Sequence, residues 1–216
     1  MSDPESGRDK LRIAVLASGS GTTLQAVVDA CEHGTLHGEV VLVISNNSAS
    51  GAMQRAARHG IASLHLSSRT HADPAALDRA IAGALGDAAP DIVLLAGYMK
   101  KLGPETLAAC GGRVINTHPS LLPKYGGQGM YGGHVHAAVI ESGDSATGIS
   151  VHLVDGDYDT GAVLAQREVP VAPEDDAESL AQRVQATERP FLVEVLQQIA
   201  SGSIRLPANP SSAGRD

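Results

Sequence analysis

The 216-residue sequence predicts an α/β fold: one domain on a mostly parallel, twisted sheet, with helices on both faces and antiparallel strands near the C-terminal edge. Three observations predict it. Short, nearly continuous apolar runs alternate with helix-period segments, the rhythm of parallel strands joined by crossover helices. Aromatic residues are only 2% of the chain, so the core must be built from Val, Leu, Ile and Ala, which suits helices packed on a parallel sheet. The rhythm changes late, where 147–154 and 162–171 follow one another closely and pair best as a hairpin. The expected architecture is Rossmann-like.

Residues 11–17 (LRIAVLA) form a first buried strand that stops at Ser18-Gly19-Ser20-Gly21-Thr22-Thr23, with a helix from about 23 to 32. Glycines at that junction let backbone N–H groups converge on an anion at the helix N-terminus, and a phosphate is the natural guest. A plain tight turn is the alternative. Gly19-x-Gly21 lacks the third glycine of a dinucleotide fingerprint, and no Gly-Lys-Ser/Thr follows as a P-loop requires. The second strand, 39–45, ends in Ser45-Asn46-Asn47 and not in the acidic residue that would hold a ribose of NAD.

Residues 52–59 read as a helix closed by Gly60, 61–66 as the third strand, and Asp73-Pro74 as the opening of a helix to Leu85. The run 92–96 is the most apolar strand and is expected near the sheet centre. It ends at Gly97-Tyr98-Met99-Lys100-Lys101-Leu102, a loop expected beside the first one. Gly97 permits close approach of a ligand to the backbone, while Met99 and Leu102 would line a flat apolar slot or simply pack at the core edge. Pro104 starts a helix that Gly111-Gly112 ends.

Val114 and Ile115 lead into Asn116-Thr117-His118-Pro119-Ser120-Leu121-Leu122-Pro123. Asn116 and His118 would emerge together at the C-terminal edge of the sheet, where open α/β folds bind their ligands. A glycine-rich loop, 124–133, must then be exposed, mobile or wrapped around something, and a helix follows through 135–140. His134 and His136 are two apart, which makes no shared metal face on a helix. The strand 147–154 sets Ile149, Val151 and Leu153 opposite a more polar face carrying Ser150 and His152. Next comes Asp155-Gly156-Asp157-Tyr158-Asp159-Thr160-Gly161. Its glycine falls one place late for a calcium loop, and Gln166 stands where the bidentate Glu belongs, so no metal is expected there. Residues 176–200 form the last helix, which Pro190 should kink or break, with Glu188 just before it as a surface carboxylate or a ligand contact.

The net charge of −8 argues against nucleic acid as a partner, and no run approaches membrane-spanning length. Cys31 and Cys110 stand outside any C-x-x-C pattern, which reads as reduced thiols, no zinc and a cytoplasmic location. Residues 1–10 and 207–216 read as flexible tails around one domain, 11–206. A neutral His, an Asn amide and a carboxylate suffice to polarise a carbonyl, bear its oxyanion and shuttle one proton. No activated serine or cysteine is recognisable. If Asp159 meets His118, it would orient the ring and favour the imidazolium.

The octet 116–123, with Asp159-Thr160-Gly161, resembles the signature of the folate-dependent formyltransferases. Ser18-Gly19-Ser20-Gly21-Thr22-Thr23-Leu24-Gln25-Ala26, Ala96-Gly97-Tyr98-Met99 and Gln185-Ala186-Thr187-Glu188 are similar to the small phosphoribosylglycinamide type within them. The resemblance makes 11–206 the formyltransferase domain and implies transfer of the formyl group of 10-formyltetrahydrofolate to the amine of glycinamide ribonucleotide in purine synthesis, without metal, and a possible homodimer. It implies Asn116, His118 and Asp159 as catalytic. Gly19, Ser20, Gly21, Thr22, Gly97 and Glu188 would hold the ribonucleotide, and Met99, Lys100, Leu102, Gly156, Asp157 and Gly161 the folate.

Overall fold

The structure is a computed structural model that describes residues 10–207, so the two expected tails lie outside it save for Lys10 and Pro207. The chain runs β1 (Leu11–Ala17), α1 (Thr22–Glu32), β2 (Gly38–Ser45), α2 (Gly51–Arg58), β3 (Ser63–His65), α3 (Pro74–Ala88), β4 (Ile92–Leu95), α4 (Pro104–Cys110), β5 (Val114–His118), α5 (Gly133–Ser142), β6 (Ala146–Leu153), β7 (Val163–Pro170) and α6 (Ala177–Ala200). One seven-stranded sheet has the order β3-β2-β1-β4-β5-β6-β7. The first five strands are parallel, and β6 and β7 join antiparallel, as the hairpin reading required.

Alternation along the central strands builds two cores, one on each face of the sheet. Ile13, Val15 and Ala17 face one side with Leu94, Ile115 and Ile149, where α1 and α6 supply Leu24, Val27, Leu180, Leu192 and Leu196. Ala14 and Leu16 face the other with Val93 and Leu95, under Ile81 and Leu85 of α3 and Cys110 of α4. Strand order reverses between β1 and β4, and this switch point opens a crevice at the strands' C-terminal ends.

Four features refine the sequence reading. β3 holds only three residues, because it is the sheet edge and its side chains are half-exposed or exposed. α3 continues past Leu85 to Ala88, ending on Ala89 in a left-handed conformation (φ 44°). The more polar face of β6 is buried, with Ser150 and His152 both inside. Pro190 does not break α6. A proline deletes one helical N–H, and the buried Phe191, Leu192, Val195 and Leu196 hold the following turns on the core.

The loop after β4 is fixed from beneath. Buried Asp78 of α3 accepts hydrogen bonds from the N–H groups of Glu105 (2.8 Å) and Thr106 (3.0 Å) and from the Thr106 hydroxyl (2.6 Å), so its carboxylate caps α4 from a neighbouring helix. A Cβ on Gly103 would sit 2.2 Å from that carboxyl carbon, so only glycine fits. Asp78→Ala strands buried donors and is expected to lower stability by about 3 kcal/mol. Urea unfolding measures this, and a loss under about 0.5 kcal/mol would contradict the cap.

Candidate active site

A cavity of about 780 Å³ opens at the switch point. Its walls bring together Gly19, Ser20, Gly21 and Thr22 after β1, Gly97, Met99 and Lys100 after β4, Asn116 and His118 on β5, Asp159 before β7 and Glu188 on α6. The two loops of the crevice are tied: Ser18 N–H donates to the Gly97 carbonyl (3.2 Å) and Met99 N–H to the Ser18 hydroxyl (2.9 Å). Gly97 takes a left-handed conformation (φ 69°), which turns the chain sharply there.

The loop after β1 has its carbonyls turned away. The Gly19 carbonyl accepts from Ala52 N–H (3.2 Å) and the Gly21 carbonyl from Gln25 N–H (2.9 Å). Each trans peptide points its N–H opposite to its carbonyl, so the N–H groups of Ser20 and Thr22 face away from those partners. Among the described residues no acceptor meets the N–H of Ser20, Gly21 or Thr22. Three free donors at the N-terminus of α1 make an anion socket.

The opposite wall carries the titratable groups. The antiparallel register of β5 and β6 sets Asn116 beside His152, and the Asn116 amide nitrogen lies 3.3 Å from His152 Nε2. His152 Nδ1 is 2.8 Å from the Leu153 carbonyl, which can only accept, so a neutral His152 carries its proton on Nδ1 and accepts from Asn116 at Nε2. By the same logic His118, with Nε2 2.7 Å from the Tyr125 carbonyl, donates there and turns Nδ1 toward Asp159, 3.4 Å away. Asp159 also lies 3.5 Å from His152 Nε2 and accepts from Gly127 N–H (3.0 Å). Tyr125 and Asp159 both hold left-handed backbone (φ 57° each), which non-glycine residues adopt under constraint from their surroundings.

Burial pulls the His118 imidazole below its ordinary value; the Asp159 charge and the Tyr125 carbonyl oppose this, and His152 adds to it. Asp159 therefore pulls toward the imidazolium as expected, but desolvation outweighs the carboxylate. For Asp159, burial alone would raise the carboxyl, but His152, the Gly127 N–H and His118 outweigh it and hold it below the usual range. Burial holds the Glu188 carboxyl above its usual range, against the Thr117 hydroxyl, which donates to it at 2.8 Å.

Several expected contacts do not reach the cavity. Leu102 is buried in the α3 and α4 core, just before Gly103, which packs on Asp78. Gly156, Asp157 and Gly161 do not line the cavity, although Tyr158 and Asp159 between them do. Asp157 pairs with Lys101 at the surface, and a Cβ on Gly161 would sit 1.9 Å from the Leu153 carbonyl, so that glycine serves close backbone packing. The glycine-rich loop wraps the site: residues 127–132 line the cavity. His136 of α5 also lines it, buried, with no partner for Nδ1 among the described residues. Sequence reasoning passed over His136 and His152. A β5–β6 register would have revealed His152 opposite Asn116. Among the described residues no group of three or more His, Cys, Asp or Glu could hold a metal ion. A second cavity of about 670 Å³ adjoins the first, sharing Tyr98 and Lys100, with Arg69, His65 and His71 on its far side.

Residues 11–196 match the formyl transferase family. The chain is 37% identical over 199 residues to the phosphoribosylglycinamide formyltransferase of Escherichia coli (strain K12), covering 92% of each chain. It is 40% identical to the chloroplastic phosphoribosylglycinamide formyltransferase of Vigna unguiculata, covering 89% of this chain and spanning 62% of that relative. The crystal structure of glycinamide ribonucleotide transformylase 1 from Symbiobacterium toebii superimposes with a TM-score of 0.82 at 35% identity, covering 92% of this chain and 94% of that one. A switch-point crevice with an anion socket on one side and an Asn, His and Asp cluster on the other agrees with these likenesses in sequence and backbone, and the chain belongs to the formyl transferase family, among the phosphoribosylglycinamide formyltransferases.

Proposed function

We propose that this chain transfers the formyl group of 10-formyltetrahydrofolate to the amine of glycinamide ribonucleotide, in the cytoplasm, as a step of purine synthesis. The observation that carries the reading is one cavity holding both a three-donor anion socket and the Asn116, His118 and Asp159 cluster. The socket takes the ribonucleotide phosphate on Ser20, Gly21 and Thr22, with Gly19 and Gly97 allowing close approach. Glu188 takes ribose hydroxyls. The folate lies along Met99 and Lys100, and Lys100, bordering both cavities, meets the carboxylated tail with its charge.

The amine nitrogen attacks the formyl carbon, and the carbonyl π pair moves to oxygen. Asn116 has one amide hydrogen on His152 and one left for that oxyanion. The Tyr125 carbonyl occupies the acceptor position at His118 Nε2, and the formyl oxygen replaces it. His118 is neutral at rest, and its Nδ1 takes the amine proton through a water beside Asp159, so the imidazolium forms as the oxyanion does. Collapse breaks the bond from carbon to folate nitrogen, which receives that proton. No side chain is acylated.

Mixing the chain with both substrates tests this. Deformylation of the folate that requires the amine is the expected result. Deformylation without it would make the chain a hydrolase, and none at all would sink the enzyme reading.

A further inference from the structure

Helix α2 lies behind the anion socket, outside the cavity, and meets it backbone to backbone. A Cβ on Gly21 would sit 2.6 Å from Ala52 Cα, and one on Gly51 would sit 2.4 Å from the Ser20 carbonyl oxygen, so neither position admits a side chain. Gly21 also holds left-handed backbone (φ 72°). From this helix Arg55 reaches back: its Nε–H donates to the Ser20 carbonyl (3.0 Å) and one Nη donates to the Gln25 side-chain carbonyl on α1 (2.8 Å). The Gln25 amide is itself held by Asp29 (2.7 Å) and His59 (3.0 Å). Among the described residues no carboxylate pairs with Arg55.

We propose that Arg55 is the positioning residue of the anion socket: by holding the Ser20 carbonyl toward α2 it fixes the Ser20–Gly21 peptide so that the Gly21 N–H points at the bound phosphate. The peptide is trans, so whichever group holds the carbonyl also aims the N–H. Of the three socket carbonyls, those of Gly19 and Gly21 are held by backbone donors, and the Ser20 carbonyl by this one side chain. A cation on a carbonyl also polarises the peptide and makes its N–H a stronger donor. The guanidinium adds an unpaired positive charge behind the socket of a chain whose net charge is −8. This inference rests on reading 18–23 as the phosphate socket of the amine substrate.

Two measurements test it: binding of inorganic phosphate, and kcat and KM for the phosphorylated amine and for its dephosphorylated counterpart. In Arg55→Met the phosphate Kd and the KM for the phosphorylated amine are expected to rise about tenfold, with turnover of the dephosphorylated amine and KM for formyl-folate within about twofold of wild type. Arg55→Lys, which keeps a donor and the charge, is expected to recover part of the phosphate affinity and also serves if the Met variant misfolds. Unchanged phosphate affinity in both variants, equal losses on both amines, or a wild-type chain that ignores phosphate overturns the proposal. A chain that binds phosphate through Arg55 yet transfers no formyl group overturns the proposed reaction and leaves this inference standing.

Discussion

His118→Ala is expected to lower kcat by about 10²–10³-fold, the loss of about 2.7–4 kcal/mol that follows removal of one oxyanion donor, with folate binding little changed. The expectation follows from where the ring sits. His118 is 4% exposed, its Nε2 is held by the Tyr125 carbonyl and its Nδ1 faces Asp159 3.4 Å away, so no water can take over its position cheaply. Its Nε2–H is already aimed at an oxygen acceptor 2.7 Å away, and only the identity of that acceptor changes during reaction. Near-normal turnover of the variant, with the fold intact, would remove His118 from the chemistry.

Asp159→Asn is expected to lower kcat by about 10²-fold and to move the acid limb of the pH profile to lower pH. The sign follows from the opposing effects on His118: burial and His152 lower its pKa, while Asp159 and the Tyr125 carbonyl raise it. Activity needs the neutral ring, so it is lost as pH falls through the His118 pKa. Removing the carboxylate removes a raising influence, and the limb moves down. The rate falls because the imidazolium formed in the transition state loses its counter-charge. An acid limb that stays in place would show that the two side chains act independently.

Much of this site is legible from residues alone because it rests on local rules. A buried strand that ends in Ser-Gly-Ser-Gly before a helix exposes backbone donors whatever else surrounds it, and period-2 alternation sets Asn116 and His118 on one side of β5. Apolar composition also foretold β4 near the centre, and the short separation of 147–154 and 162–171 foretold the hairpin of β6 and β7. What escaped depends on contacts between distant segments. Leu102 reads as a slot residue until Asp78, 24 positions earlier, is seen packed against Gly103 beside it, with Leu102 in the core. His152 reads only as part of the more polar face of its strand until an antiparallel register sets it beside Asn116. Arg55 carries no local signal, since its partner carbonyl belongs to a loop before another helix. Pro190 misleads for the opposite reason: a local rule against it is overruled by the core that flanks it.

The arrangement of three side chains around one carbonyl is most directly tested by a crystal structure of the chain with glycinamide ribonucleotide and a folate analogue whose carbonyl cannot be transferred. The account predicts the analogue's carbonyl oxygen about 2.7–3.1 Å from the Asn116 amide and from His118 Nε2, the Tyr125 carbonyl displaced, and the phosphate on the N–H groups of Ser20, Gly21 and Thr22. A carbonyl oxygen out of reach of both Asn116 and His118, with the Tyr125 bond to His118 intact, would contradict it.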